Sequence, residues 1–368
     1  MNQFFDNINK AGEAEKPSKK KPIYPVNKDL RAYLLRYGRE VKLPVTYQDL
    51  QRYTYSIPLK DKKGNESSWG KLSFDMKEWE YLREGLVKIY AILKTEGDTT
   101  IINHLDVARI DFCYFGNSQP FRIRIVNKFN DNYDHYYIKQ ADASRIYGLE
   151  LEHLLSPNRI SYFTHQATLV EEHIPGIPGD IFITDHLKDP NTNLIRLAKE
   201  FVKFNERCFV QLLGDMRSYN FVVNIIPDIE DFQYRIRAID FDQQSYEGRK
   251  NLYLPQFFKE NKAFVDLVTK HLDKESIAQY QAEERTMMTF RLASARYRMN
   301  DLFDIMCADT ISVPEKIESL KVALTMHFKE PSTYNKAKTM GQVVKRHLKQ
   351  TLQKNLLLIP KTSKRNSD

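Results

Sequence analysis

The stretch from Cys208 to Gln244, CFVQLLGDMRSYNFVVNIIPDIEDFQYRIRAIDFDQQ, constrains what this chain can fold into more than any other. An apolar run, Cys208 to Leu213, ends at Gly214-Asp215, and Asn220 follows five residues after Asp215. Phe221 to Ile226 has the length and β-branched content of a short buried strand. The polar turn Pro227-Asp228-Ile229-Glu230-Asp231 leads to a second strand, Tyr234 to Ile239, which ends in Asp240-Phe241-Asp242. Paired as a hairpin, the two strands carry Asp215, Asn220 and Asp240 to one end. Oxygen-bearing side chains gathered in this way make a site of the kind Mg²⁺ prefers.

The rest of the chain sets limits on that site. With 368 residues and 42% of them hydrophobic, it can bury a large core as one big domain or two lobes. No run of about 18 apolar residues is present, so no membrane span is expected. The start, MNQFFDNINKAGEAEKPSKKKP, has no apolar signal core. Cys113, Cys208 and Cys307 are scattered, which fits free thiols in a reducing cytoplasm. The net charge is +8, but its location matters. Residues 341–368 hold seven Lys or Arg against one Asp, and residues 1–25 five Lys against three acids, so the two ends account for the whole excess. This argues against a basic nucleic-acid-binding face on the body and leaves only weak contacts by the tails.

In chain order, residues 1–25 read as a disordered basic tail, rich in Lys and Pro. Asp29 is a candidate cap for a helix through Leu30 to Leu35, and residues 46–75 suggest a hairpin about the turn at 61–65. Met76 to Lys94 reads as a helix, with Trp79, Leu82, Leu86, Ile89, Tyr90 and Leu93 at helical spacing. Val107–Phe115, Phe121–Val126 and His135–Gln140 read as strands, the first two joined by Gly116-Asn117-Ser118-Gln119-Pro120. A helix from Ala143 to Leu155 carries Glu150 and Glu152 and is stopped by Ser156-Pro157. Ile160–Phe163 and Ala167–Val170 are strands, the second running into Glu171-Glu172-His173-Ile174-Pro175-Gly176. Asn193–Glu206 is an amphipathic helix, and helices are expected over Leu254–Leu272, Lys274–Met306, Pro314–Phe328 and Met340 to about Leu356.

The central stretch resembles the active-site half of the protein-kinase-like fold, shared by protein kinases and small-molecule phosphotransferases. Asp215-x4-Asn220 is similar to that family's catalytic loop, and Ile239-Asp240-Phe241-Asp242 to its metal-binding triplet, with Asp242 where protein kinases usually have Gly. In pattern the chain looks nearest to the aminoglycoside phosphotransferase-like kinases. The resemblance implies an α+β, bilobal fold: an antiparallel-sheet N-lobe over 105–172 and a mostly helical C-lobe over 173–340. An N-terminal extension, 26–104, would pack on the N-lobe, and 341–368 would form a basic C-terminal helix and tail.

The same resemblance implies roles for individual residues. ATP would be bound by the turn at Gly116, Asn117 and Ser118, by Lys139 on the third strand, and by the backbone of a hinge at Glu172, though Pro-Gly-x-Pro-Gly there also suits an ordinary loop. A glutamate on the following helix would orient Lys139; Glu150 is favoured over Glu152. Asn220 and Asp240 would hold Mg²⁺, with Asp242 either sharing it or solvated. Asp215 would take the acceptor's proton, and Arg217 would reach the transferred phosphate. The chain departs from the family's pattern in two respects. Gly116 stands alone where protein kinases have three glycines, and Leu213-Gly214 replaces a His-Gly or His-Arg pair. The expected activity is transfer of the γ-phosphate of ATP to a hydroxyl-bearing acceptor, most naturally a small molecule. The alternative is a catalytically weak kinase-like module that binds nucleotide or a partner.

Overall fold

The strand Phe121–Asn127 buries Phe121, Ile123 and Ile125 and turns Arg122 and Arg124 to the opposite face, the period-two pattern of a strand with one side on a core. The computed structural model describes residues 21–60, 64–95, 98–229, 231–330 and 332–356, and these divide into two compact units. The described residues form an α+β protein with an antiparallel sheet in the N-terminal region and a mostly helical C-terminal half.

The first unit comprises residues 22–143 and 160–173. Its strands are β1 (Tyr55–Lys60), β2 (Glu66–Ser73), β3 (Leu105–Cys113), β4 (Phe121–Asn127), β5 (Tyr133–Gln140), β6 (Tyr162–His165) and β7 (Thr168–Glu172). They form one antiparallel sheet in the order β1-β2-β3-β4-β5-β7-β6. Residues 26–104 therefore supply two strands of the sheet itself, β2 pairing with β3. They also supply the helix α2 (Met76–Thr95), whose Leu82, Leu86, Ile89 and Leu93 pack against Val107, Ile110, Ile123, Ile125, Tyr136 and Ile138. Each such Leu or Ile stabilises the fold by roughly 1.5–3 kcal/mol when fully buried. Tyr136, buried among them, donates its hydroxyl proton to the carbonyl of Leu86 at 2.8 Å.

A shorter helix, α1 (Lys28–Arg36), precedes the sheet. Its cap is Asn27, whose side chain accepts the Leu30 N–H; Asp29 lies inside the first turn, where it complements the helix dipole. The chain then runs alongside β6 in a parallel bridge between Glu40 and Thr164. Two backbone bonds hold it there, from the Val41 N–H to the Thr164 carbonyl (3.0 Å) and from the Thr164 N–H to the Arg39 carbonyl (2.7 Å).

The second unit comprises, among the described residues, Lys21, 144–159 and 174–356. Its helices are α3 (Ala143–Leu155), α4 (Leu194–Gln211), α5 (Lys262–His271), α6 (Lys274–Ser294), α7 (Arg296–Ala308), α8 (Pro314–Phe328) and α9 (Met340–Leu356). A small sheet in the order β10-β9-β8 joins β8 (Ile177–Pro178), β9 (Phe221–Pro227) and β10 (Phe232–Ala238). α4 packs against α5, α6, α9 and β10, with the rings of Phe201 and Phe264 stacked at 5.2 Å.

The helix expected over Asn193–Glu206 runs on to Gln211, taking in most of the buried apolar run Cys208–Leu213, and Leu212 closes it in the left-handed conformation. Two sequence expectations need correction in this unit. Leu254–Leu272 is not one helix: Pro255 lacks a donor, and two 3₁₀ turns, Pro255–Phe257 and Lys259–Asn261, precede α5. Lys274–Met306 breaks at Ala295, whose ψ of 20° turns the chain. An unbroken helix of that length would run about 50 Å, far beyond the core it covers. The expected basic tails fall mostly outside the described residues. Among the described residues no helix is long and apolar enough to cross a membrane.

Candidate active site

β9 and β10 pair as an antiparallel hairpin, with Phe221 opposite Ala238. Asn220 and Asp240 therefore lie just beyond its paired end, and the Ile239 N–H donates to the Asn220 carbonyl at 3.0 Å. The loop before β9 is tied at several points. The Gly214 N–H donates to the Gln243 carbonyl at 3.3 Å and the Asp215 N–H to the Leu252 carbonyl at 3.1 Å. The Asn220 side-chain amide donates to the Asp215 carbonyl at 2.7 Å. Asn261, fully buried, holds the loop from below by donating to the carbonyls of Met216 and Pro255. Held in this way, Asp215 adopts a left-handed backbone (φ 58°) that few residues other than glycine tolerate.

The electrostatics of Asp215 follow from this position. Burial pushes its carboxyl from 3.8 up to about 7; the nearby Asp240 adds to the rise, and the Arg217 guanidinium opposes it. Arg217 Nε lies 2.8 Å from the Asp215 carboxylate, while its Nη1 donates to the Tyr219 hydroxyl at 3.0 Å and faces Glu260 at 3.7 Å. A carboxylate half-ionised near neutral pH and aimed by a cation is suited to proton transfer.

Asp240 and Asp242 share a partner that sequence reasoning missed. Arg145, on the first turn of α3 and 1% exposed, sends one guanidinium nitrogen to both carboxylates: 3.0 Å to Asp240, and a closer contact to Asp242. Asp242, 10% exposed, is thus in a buried ion pair; the solvated alternative is excluded. The signal in the sequence was Arg145 itself, the one Lys or Arg on that helix, with Gly148 and Leu149 and no acid at the positions a turn further on. The acid's location is a long-range fact.

Glu150 and Glu152, the candidate partners of Lys139, are both buried. Glu150, fully buried, accepts a forked pair from Arg298 at 2.8–3.0 Å, and Glu152 accepts from the Gln211 amide at 2.9 Å. Replacing Arg298 with Ala should cost about 3–5 kcal/mol by stranding the Glu150 carboxylate. Urea unfolding measures this, and an added Glu150→Leu change should recover most of the loss. A double variant as unstable as the single one would mean that the pair is not what holds α3.

In the first unit, Lys139 on β5 is buried and pairs with Glu171 on β7 at 2.7 Å. The two residues are not register partners, since Lys139 faces Leu169 and Tyr137 faces Glu171, so the pair crosses the strands diagonally. The same face is aromatic and cationic. The Tyr137 ring has Trp69 at 6.4 Å and His173 at 5.9 Å, and Arg122 lies 4.4 Å over Trp69. Gly116 is exposed, with φ at 125°, a backbone only glycine enters readily; Asn117 and Ser118 are half-buried beside it. Glu172 closes on Ser161 through both side chain and backbone, at 2.8 and 3.0 Å.

Asp240, Asp242 and the Asn220 amide are hard oxygen donors, the right chemistry for Mg²⁺. Asp240, with 36% of its side chain exposed, is the open member, whereas Asp242 is committed to Arg145. Among the described residues no three His, Cys, Asp or Glu side chains converge as a ready-made metal cluster. Asp240 and the Asn220 amide oxygen have the donor chemistry for a divalent cation. Set against protein-family models the chain matches none, and a comparison with curated proteins likewise finds no match.

Proposed function

We propose that this chain is an ATP- and Mg²⁺-dependent phosphotransferase of protein-kinase-like fold that moves a γ-phosphoryl group to a hydroxyl, most naturally on a small molecule. The observation that carries the reading is Asp215, a clamped carboxyl lifted to about 7, on the loop that ends in Asn220, with Asp240 beyond the same end of the hairpin. The strand order β3-β4-β5-β7-β6, followed by that hairpin, is further support.

In this reading the ionised Asp215 accepts the proton of the acceptor hydroxyl as its oxygen bonds to the γ-phosphorus. The bond to the bridging oxygen breaks, and ADP leaves with the electron pair. Arg217 holds the carboxylate in line and offsets its charge until the proton arrives. Asp240 and Asn220 would hold a divalent cation, which when bound supplies neutralising charge to the phosphate oxygens. Lys139 is the residue this reading assigns to the nucleotide phosphates, and Tyr137 and Trp69 offer flat faces for a base.

The test is incubation of the purified chain with γ-labelled ATP, Mg²⁺ and a panel of hydroxyl-bearing amino sugars, sugars and nucleosides. Label should pass to at least one acceptor, and the rate should rise with pH through about 7 as Asp215 ionises. A flat profile across that range removes Asp215 as the base. The second reading, a catalytically weak nucleotide-binding module, is favoured by the Arg145 guanidinium on both acids. It would show as ATP-dependent thermal stabilisation without transfer to any acceptor.

A further inference from the structure

We propose that Arg145 is a resident cation that closes the Asp240–Asp242 pair to divalent metal, so that metal enters only by displacing the guanidinium from Asp240. The proposal rests on reading Asp240 as the cation-binding carboxylate, but it requires no phosphoryl transfer.

Three observations carry it. The guanidinium contacts both carboxylates from one nitrogen, is 1% exposed, and keeps its charge at any pH a protein survives. The Asp240 oxygen that receives it at 3.0 Å also accepts the Asp242 N–H at 3.0 Å, so both lone pairs of that atom are engaged. The helix carrying Arg145 is pinned on either side of it. The Ser144 hydroxyl donates to the Gln244 carbonyl at 2.7 Å, the Tyr147 hydroxyl to Asp309 at 2.8 Å, and Glu150 is forked by Arg298. The charge is therefore built into the site and is not a surface side chain that drifts onto it.

The consequence is a competition. Mg²⁺ and Mn²⁺ give up bound water reluctantly, and the guanidinium already offsets half of the two carboxylates' charge that would reward them. Ligands brought by a polyphosphate tip that balance. Metal should bind this site weakly by itself and better when a nucleotide arrives with it.

Mn²⁺ alone, titrated into the full chain and followed by the electron paramagnetic resonance signal of the free ion, tests the clasp. Arg145→Met should bind Mn²⁺ at least about tenfold more tightly than the unaltered chain, as expected when carboxylate charge is freed for the metal. Asp240→Asn in the same background should abolish the gain. Arg145→Lys, with a shorter point charge, should fall between the two, and it carries the test if the methionine variant does not fold. Equal Mn²⁺ affinity in the unaltered chain and the folded variants overturns the proposal. So does a gain that survives Asp240→Asn. Loss of the phosphotransferase reading shows differently, as absence of label transfer with the Mn²⁺ gain intact.

Discussion

Replacing Asp215 with Asn is expected to lower phosphoryl transfer by about 10²–10⁴-fold, the range over which a positioned general base acts, and to make the chain more stable at pH 8. Both effects have one cause. Burial raises the carboxyl from 3.8 to about 7 in the folded chain. Below the lower value the group is protonated whether folded or unfolded, and it costs nothing. Between the two values the unfolded chain ionises first, so stability falls as pH rises. Above about 7 the full cost is in place, about 2–4 kcal/mol at roughly 1.4 kcal/mol for each tenfold change in proton affinity. A neutral amide of the same shape escapes that cost. Urea unfolding at pH 4 and pH 8 measures it: the variant and the unaltered chain should match at the lower pH, with the variant ahead at the higher. An Asn variant that is the less stable of the two at pH 8 would show that Asp215 is well accommodated as an anion and is not poised as a base.

The largest expected effect on stability lies in the core of the second unit. Arg207 on α4 is 3% exposed; it donates to Glu284 on α6 at 2.9 Å, faces Glu200 at 3.5 Å, and donates to the Ile236 carbonyl on β10 at 3.0 Å. Glu200 and Glu284 both titrate above their ordinary 4.5, burial being the main cause and Arg207 the main opposing charge. Arg207→Met removes that charge and strands both acids, which should cost about 3–5 kcal/mol or more. The sign of the pH dependence follows. The stranded acids are tolerated while protonated, so the deficit should be small near pH 4.5 and grow toward pH 8. Thermal melts of variant and unaltered chain across that range check it. A deficit independent of pH would mean that the loss is one of packing and not of charge.

What could be read from the chain before its structure was mostly local. The hairpin from Phe221 to Ala238 depends on two adjacent strands and a turn, so Asp215, Asn220 and Asp240 could be assembled from spacing alone. α2, α3, α8 and α9 were likewise legible as helical stretches, α2 with an acidic first turn and α8 with Pro314 at its start. The partners of buried charges were not. Arg145 meets Asp240 and Asp242 across about a hundred intervening residues, and Glu150 meets Arg298 across about 150; no periodicity encodes such a distance. Glu171 escaped for a subtler reason. It lies one residue past the strand expected over Ala167–Val170, and its diagonal approach to Lys139 depends on a register that only the folded sheet fixes.

The bridge between Glu40 and Thr164 covers one margin of the sheet. β6 is the last strand of its sheet, and an unsatisfied row of amides at such a margin invites another chain to zip onto it. The segment at 39–41 occupies that row, locked by Glu40 accepting both the Thr164 hydroxyl and the Arg31 guanidinium. Trimming the chain to begin at β3 would take away this guard at one margin and β1 and β2 at the other. The shortened product should therefore self-associate.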